Sequence, residues 1–150
     1  ASAAPEAMPA RAEAPGERPA MPRRVLLLDD EVDIGHAVRA LLGAHGIETT
    51  VVQHEPQAEA AVDGARSDGR PYEALLCDYR LAGGVDGLDA ALRLRARAGG
   101  TLRVLIVTGE TSPERLQRVR ESGLPVLYKP ASAEALLAAL AGVASGREAR

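Results

Sequence analysis

The chain has 150 residues, 46% of them hydrophobic, and a formal net charge of −3. That is enough for one domain with its own core, and the near-balanced charge gives no sign of a direct nucleic-acid surface. No apolar run approaches the roughly 20 residues that span a bilayer and no signal-peptide core is present, so neither membrane insertion nor export is expected.

Residues 1–22 are rich in Ala, Pro and Glu and contain no Val, Ile or Leu. Such a segment cannot bury enough apolar surface to offset its ordering entropy. It reads as a flexible linker, and a tether on this side implies a domain upstream. The folded part is expected over 23–146, with 147–150 a disordered tail. A strand is expected at about 24–29 and a helix at about 31–44, where Ile34, Val38, Leu41 and Leu42 share one face and Gly46 stands as the C-cap. The β-branched run 47–52 suits a second strand, and a more polar helix follows at about 55–66. After the turn Ser67-Asp68-Gly69-Arg70-Pro71 come a strand at about 72–77, a glycine-rich loop and a helix at about 87–98. A fourth strand is expected at about 102–107. Ser112-Pro113-Glu114 then forms a helix start, with a capping hydroxyl, Pro at the first helical position and an acid behind it. Leu116 and Val119 are its only large apolar residues. Arg115, Arg118 and Arg120 read as its solvated face. A strand at about 125–128 and a helix at about 132–144 complete five β-α units. This alternation predicts a parallel sheet covered by helices on both faces.

The single cysteine, Cys77, excludes an internal disulfide and fits a reducing, cytoplasmic setting. Its place in an apolar run makes it a core filler. With no Phe or Trp and three Tyr, the core must be built from Leu, Val, Ile and Ala, and no platform exists for stacking single-stranded bases.

Four apolar runs end at a polar residue. Val25-Leu26-Leu27-Leu28 meets Asp29-Asp30-Glu31, Ala74-Leu75-Leu76-Cys77 meets Asp78, Val104-Leu105-Ile106-Val107 meets Thr108, and Val126-Leu127-Tyr128 meets Lys129-Pro130. Short runs of this kind read as buried strands. In a parallel sheet their ends share one edge, and that edge is where open α/β sheets bind ligands. Three carboxylates, a hydroxyl and an ammonium would then meet there. Clustered carboxylates repel one another unless compensated. Oxygen ligands, few in number and with room for water, favour Mg²⁺. Lys129 would add a second cation, and Thr108 a hydrogen bond to a phosphoryl oxygen. Such an assembly suits phosphoryl transfer to an aspartate.

The motifs LLLDDE, LLCDYRL, LIVTG and LYKP, in this order, resemble the receiver domain of two-component response regulators. The intervals agree with that family: 48 residues from Asp30 to Asp78, 30 more to Thr108 and 21 more to Lys129. The resemblance implies a flavodoxin-like (βα)5 doubly wound parallel sheet in strand order 2-1-3-4-5. It implies that Asp78 is the phosphoacceptor, that Asp30 ligates Mg²⁺ directly, that Asp29 helps through water, and that the Arg80 carbonyl is a further ligand. Thr108 would close on the phosphoryl group. Lys129 would be the family's lysine, and Pro130 its cis-bonded neighbour. The partner implied is a histidine kinase or histidine-phosphotransfer domain. The chain would not be an independent enzyme, although it would phosphorylate and dephosphorylate itself at Asp78 with Mg²⁺. The tether, together with GETSPERL and SGLPVLYKP, resembles the C-terminal receiver of a hybrid sensor histidine kinase, with the parent kinase membrane-attached or cytoplasmic.

Three features depart from the family pattern. Leu81-Ala82-Gly83-Gly84-Val85-Asp86-Gly87 lacks the usual Pro after the acceptor and is one residue longer, which implies a more mobile loop. Val126 stands where an aromatic switch residue is usual, three before Lys129. No DNA-binding output follows the last helix. The opposite charges of Arg80 and Glu110 suggest a pair across the site mouth that shields the phosphoryl group from water.

Other folds use parts of the same residue set. An aspartate-nucleophile phosphatase of the haloacid-dehalogenase type also uses acids, Mg²⁺, a hydroxyl and a Lys. However, Glu31 and Asp33 occupy the second-acid and Thr/Val places of its signature. A flavin module would find its phosphate repelled by the acids after strand one. A non-phosphorylated docking receiver would not need the full acid-acid-Thr-Lys set. Glu31 and Asp33 read as first-turn acids favoured by the helix dipole. His36, His45 and His54 read as surface residues. Gly83, Gly84 and Gly87 read as turn residues.

Overall fold

The computed structural model describes residues 21–109, 112–129 and 131–144. Glu110, Pro130, the tail and all but the last two residues of the expected linker lie outside the described residues. The elements are β1 (Arg24–Leu28), α1 (Val32–Ala44), β2 (Glu48–Val52), α2 (Glu55–Ser67), β3 (Ala74–Asp78), α3 (Gly87–Arg97), β4 (Arg103–Thr108), α4 (Pro113–Glu121), β5 (Val126–Tyr128) and α5 (Ala133–Ala144), with a short 3₁₀ turn at Ala82–Gly84. All strand pairings are parallel, in the order β2-β1-β3-β4-β5. This is the sheet that the motifs implied.

Side chains alternate across a strand, and here the two sets face two separate cores. Leu26, Leu28, Leu75, Cys77, Val104 and Ile106 pack with α2 and α3. Val25, Leu27, Ala74, Leu76 and Leu105 pack with α1 and α5. The central strands are therefore apolar at nearly every position, because both of their faces are covered. Every residue of β3 is buried. Removing one of the buried Leu side chains down to Ala costs about 2–5 kcal/mol.

The flank of the sheet is less well anchored. On α4 only Val119 is fully buried, as the sequence had implied. β5 is three residues long, starts one residue later than expected, and none of its side chains is fully buried. The start of α4 also differs in detail. Ser112 is its N-cap residue by position, but its hydroxyl donates to the Glu114 carboxylate at 2.8 Å instead of accepting from the helix backbone. At α5 the reverse holds: Ser132 Oγ accepts from the Ala135 N–H at 3.0 Å and caps a helix for which no cap had been identified.

Candidate functional site

The strand order reverses direction between β1 and β3. The chain leaves β1 toward α1 on one face and β3 toward α3 on the other, which opens a crevice at the C-terminal edge. Four of the expected site residues sit at that edge. Asp29 follows β1, Asp78 ends β3, Thr108 ends β4 and Lys129 follows β5. Backbone hydrogen bonds hold them there. The Asp29 N–H donates to the Val52 carbonyl (3.0 Å), Tyr79 N–H to Val107 (2.9 Å) and Lys129 N–H to Thr108 (2.8 Å). The sheet ladder thus continues just past the apolar strands and fixes the polar residues on rigid backbone.

Among the described residues the buried polar or charged ones are Asp29, Asp78 and Thr108, at 4%, 7% and 1% exposure. All three are residues the motifs had singled out. Burying a carboxylate is unfavourable unless it is compensated, so this concentration at one point calls for a reason. Carboxylate oxygens of Asp29, Asp30 and Asp78 lie within 4.8 Å of one another. Burial raises the pKa of Asp29, partly offset by the Glu31 N–H, which donates to Asp29 Oδ1 at 2.9 Å. Burial likewise pushes Asp78 up to about 6; Lys129 works against that shift, and the neighbouring Asp29 adds to it. Lys129 Nζ stands 3.4 Å from Asp78 Oδ1 and 3.9 Å from Glu31 Oε1. One ammonium against four carboxylates leaves the site rich in negative charge. An all-oxygen donor set of this kind, part-exposed at Asp30, suits a hard divalent cation such as Mg²⁺.

Two residues do more than their sequence context indicates. Glu31 looked like a first-turn acid only, yet its carboxylate faces Lys129. Gly87 looked like a turn residue, but it is a packing requirement. It opens α3 directly against the acceptor: its N–H donates to the Tyr79 carbonyl at 2.6 Å. A Cβ at Gly87 would overlap the Asp78 carbonyl oxygen and come within 2.8 Å of Tyr79 Cα. Cys77, a core residue as expected, lies beneath this contact, with Sγ 3.4 Å from the Gly87 carbonyl oxygen and 3.5 Å from that of Asp78. Burial holds its thiol protonated.

The loop after Asp78 closes on itself. Arg80 forms an isolated antiparallel bridge with Asp86, and Leu81 N–H donates to the Val85 carbonyl at 3.1 Å. Gly83 and Gly84 both take φ of +75°, a region open to glycine at little cost. The proposed partner of Arg80, Glu110, lies outside the described residues, as does Pro130. Between α1 and α5 an apolar groove of about 610 Å³ opens at the acids, lined by Ile34, Val38, Leu41, Val107, Leu127 and Leu136 together with Asp29, Asp78 and Lys129. No helix among the described residues is long and apolar enough to cross a membrane.

Residues 25–141 match the family described as response regulator receiver domain. The chain belongs to that family. Its receiver is 36% identical over 90 residues, 60% of this chain and 36% of the relative, to the transcriptional regulatory protein AruR of Pseudomonas aeruginosa. It is 31% identical over 118 residues, 78% of this chain and 48% of the relative, to the response regulator RppA of Synechocystis. The chain spans less than half the length of these curated relatives. Among solved structures the receiver resembles the chemotaxis protein CheY4 of Vibrio cholerae, with 28% identity and a TM-score of 0.68, covering 83% of this chain and 99% of that one. It also resembles a response regulator protein of Burkholderia pseudomallei with a phosphorylated aspartic acid, calcium ion and citrate, with 25% identity and a TM-score of 0.65, covering 83% and 69%. Receivers are in general non-enzymatic signalling modules that interact with histidine kinases or phosphotransfer proteins and bind Mg²⁺ at an acidic pocket; in this chain Asp29, Asp30 and Asp78 form an acidic cluster.

Proposed function

We propose that this receiver accepts a phosphoryl group from a phosphohistidine onto Asp78 and signals through the resulting change in conformation. The observation that carries this reading is the pairing of a buried carboxylate, Asp78, with an ammonium 3.4 Å away at the crevice of the sheet. With its pKa held at about 6, Asp78 is mainly ionised at neutral pH and can act as a nucleophile. One carboxylate oxygen attacks phosphorus, the P–N bond of the donor breaks, and the imidazole leaves with its electron pair and takes a proton. Lys129 draws the Asp78 carboxylate to one side and balances charge on the phosphoryl oxygens. Thr108, buried beside them, supplies a hydroxyl for one of those oxygens. Asp30 and Asp29, with Asp78 and the Arg80 carbonyl, would hold Mg²⁺, which when bound offsets the carboxylate charge and neutralises the transferring group.

The phosphorylated aspartic acid of the Burkholderia pseudomallei relative supports this chemistry by likeness. The groove between α1 and α5 gives a phosphohistidine-bearing partner an apolar surface beside Asp78. That partner is a histidine kinase or phosphotransfer domain, in cis if this receiver is the C-terminal module of a hybrid kinase. The folded unit is 23–146, it works in the cytoplasm, and Arg80 and Glu110 tune how long the phosphoryl group survives.

The test is incubation of the protein with acetyl phosphate or beryllofluoride, with and without Mg²⁺. A stoichiometric adduct at Asp78 that needs Mg²⁺ and is lost in Asp78→Asn is the expected result. Catalytic turnover of phosphomonoesters that survives Asp78→Asn and is lost in Asp29→Asn would replace this reading with a phosphatase.

A further inference from the structure

The loop between Asp78 and α3 holds two glycines at positive φ and stands exposed at Arg80 and from Ala82 to Gly84, so its own sequence does little to fix it. Its far end is nonetheless held from three directions. Asp86 bridges back to Arg80. Its Oδ1 accepts from the Leu88 and Asp89 N–H groups at 2.8 and 3.2 Å, capping α3. Its Oδ2 lies 3.2 Å from Arg118 Nη1, a residue of α4. The other arm of the same guanidinium, Nη2, donates to Asp89 Oδ1 at 2.6 Å. Arg118 was read from sequence as part of a solvated helix face. It is instead a two-armed tie between α4 and the loop that leaves the acceptor. A planar guanidinium fork is suited to holding two carboxylates in a fixed relation.

The tie matters to both of its ends. α4 has one fully buried side chain, Val119, so the ionic contacts of Arg118 add to a thin apolar anchor. The loop runs from Asp78 to Gly87, which is itself pressed on the Asp78 backbone. A shift at the acceptor that moves Gly87 moves Asp86, and Asp86 is ion-paired with Arg118 of α4, without a hydrogen bond at Nη1.

We propose that Arg118 is a positioning residue for the acceptor loop, and that through Asp86 and Asp89 it makes the loop and α4 order and loosen together. The proposal deepens the receiver reading and rests on it for its signalling consequence, while the tie itself is tested without phosphorylation. Coupling of this kind is reciprocal: what orders the loop orders α4, and the reverse.

Hydrogen exchange read by mass spectrometry on the full chain tests it, first without metal, then with Mg²⁺, then with Mg²⁺ and beryllofluoride. Arg118→Ala is expected to speed exchange across 79–86 as well as α4 by about threefold, the scale of a part-exposed ion pair, and to leave β1 and β3 unchanged. Asp89→Ala removes one arm from a half-buried site outside the loop, and is expected to speed loop exchange in the same direction by less. Arg118→Lys, which keeps the charge without the fork, should restore part of the protection. Beryllofluoride should alter α4 exchange in the wild type more than in Arg118→Ala. Loop exchange equal to wild type in both Arg118→Ala and Asp89→Ala overturns the proposal, whatever α4 does. Failure of beryllofluoride to add at Asp78 in the wild type counts against the receiver reading and leaves the metal-free exchange to decide the tie.

Discussion

The crevice between β1 and β3 and the flank formed by α4 and β5 lie in one fold, yet they are built by opposite means. At the crevice, rigidity comes from packing. β3 is buried throughout, Asp29 and Asp78 stand on continued sheet ladder, and Gly87 leaves no space above the acceptor. At the flank, α4 has one fully buried side chain, Val119, and Arg118 ties it to Asp86 and Asp89, while β5 has no fully buried side chain. The difference teaches where a receiver can tolerate movement. Chemistry needs groups held to fractions of an ångström, whereas a responding surface must be drawn from the less stable end of the structure.

The sharpest way to break this contrast is at Gly87. Gly87→Ala must displace the backbone of Asp78 or Tyr79, and is expected to cost about 3 kcal/mol or more in urea unfolding. A near-neutral result would mean that the crevice yields as readily as the flank. Next in size is Asp78→Asn. The native Asp78 pKa, about 6, lies above the ordinary value of 3.8. Between these two values the native state binds more protons than the unfolded state, so this group lowers stability as pH rises through the window and has its full effect above it. Asp78→Asn should therefore stabilise the metal-free protein by on the order of 2 kcal/mol at about pH 7 and by little at about pH 4. Equal stability of the two proteins at both pH values would show that burial does not strain the acceptor. Val119→Ala, on the flank, should cost only about 1–2 kcal/mol. Its effect on hydrogen exchange should spread over α4, β5 and, through Arg118, the loop at 79–86, and not reach β1.

Most of this architecture was legible because the central strands carry unbroken apolar runs, and such runs in five β-α units leave few parallel arrangements open. The site was legible for the same reason: each run ends at a residue that the core cannot explain. What escaped was non-local. Nothing in the sequence around Gly87 announces that its α-carbon rests on the Asp78 carbonyl, because that contact exists only once α3 docks. Arg118 is one of three arginines on one helix, and only the placement of Asp86 and Asp89 across the gap selects it. Glu31 faces Lys129 across a strand order that brings together residues distant in sequence. Ser132 was passed over as a cap, and Ser112, taken as one, turns its hydroxyl to Glu114. Hydroxyl caps are chosen between competing local acceptors, and a propensity does not settle that choice.

The brevity of β5 has a further consequence. It is one of the two outer strands of the sheet, and the free side of an outer strand presents unpaired backbone groups, the usual template for joining the strands of another chain. Three residues offer too short a template for stable addition, and Lys129 closes the run with a charge that would have to be desolvated in a stacked pair. The lysine that serves the acceptor thus also guards the sheet against growth from that side. A substitution that lengthened the apolar run through position 129 should convert a signalling defect into an aggregating protein.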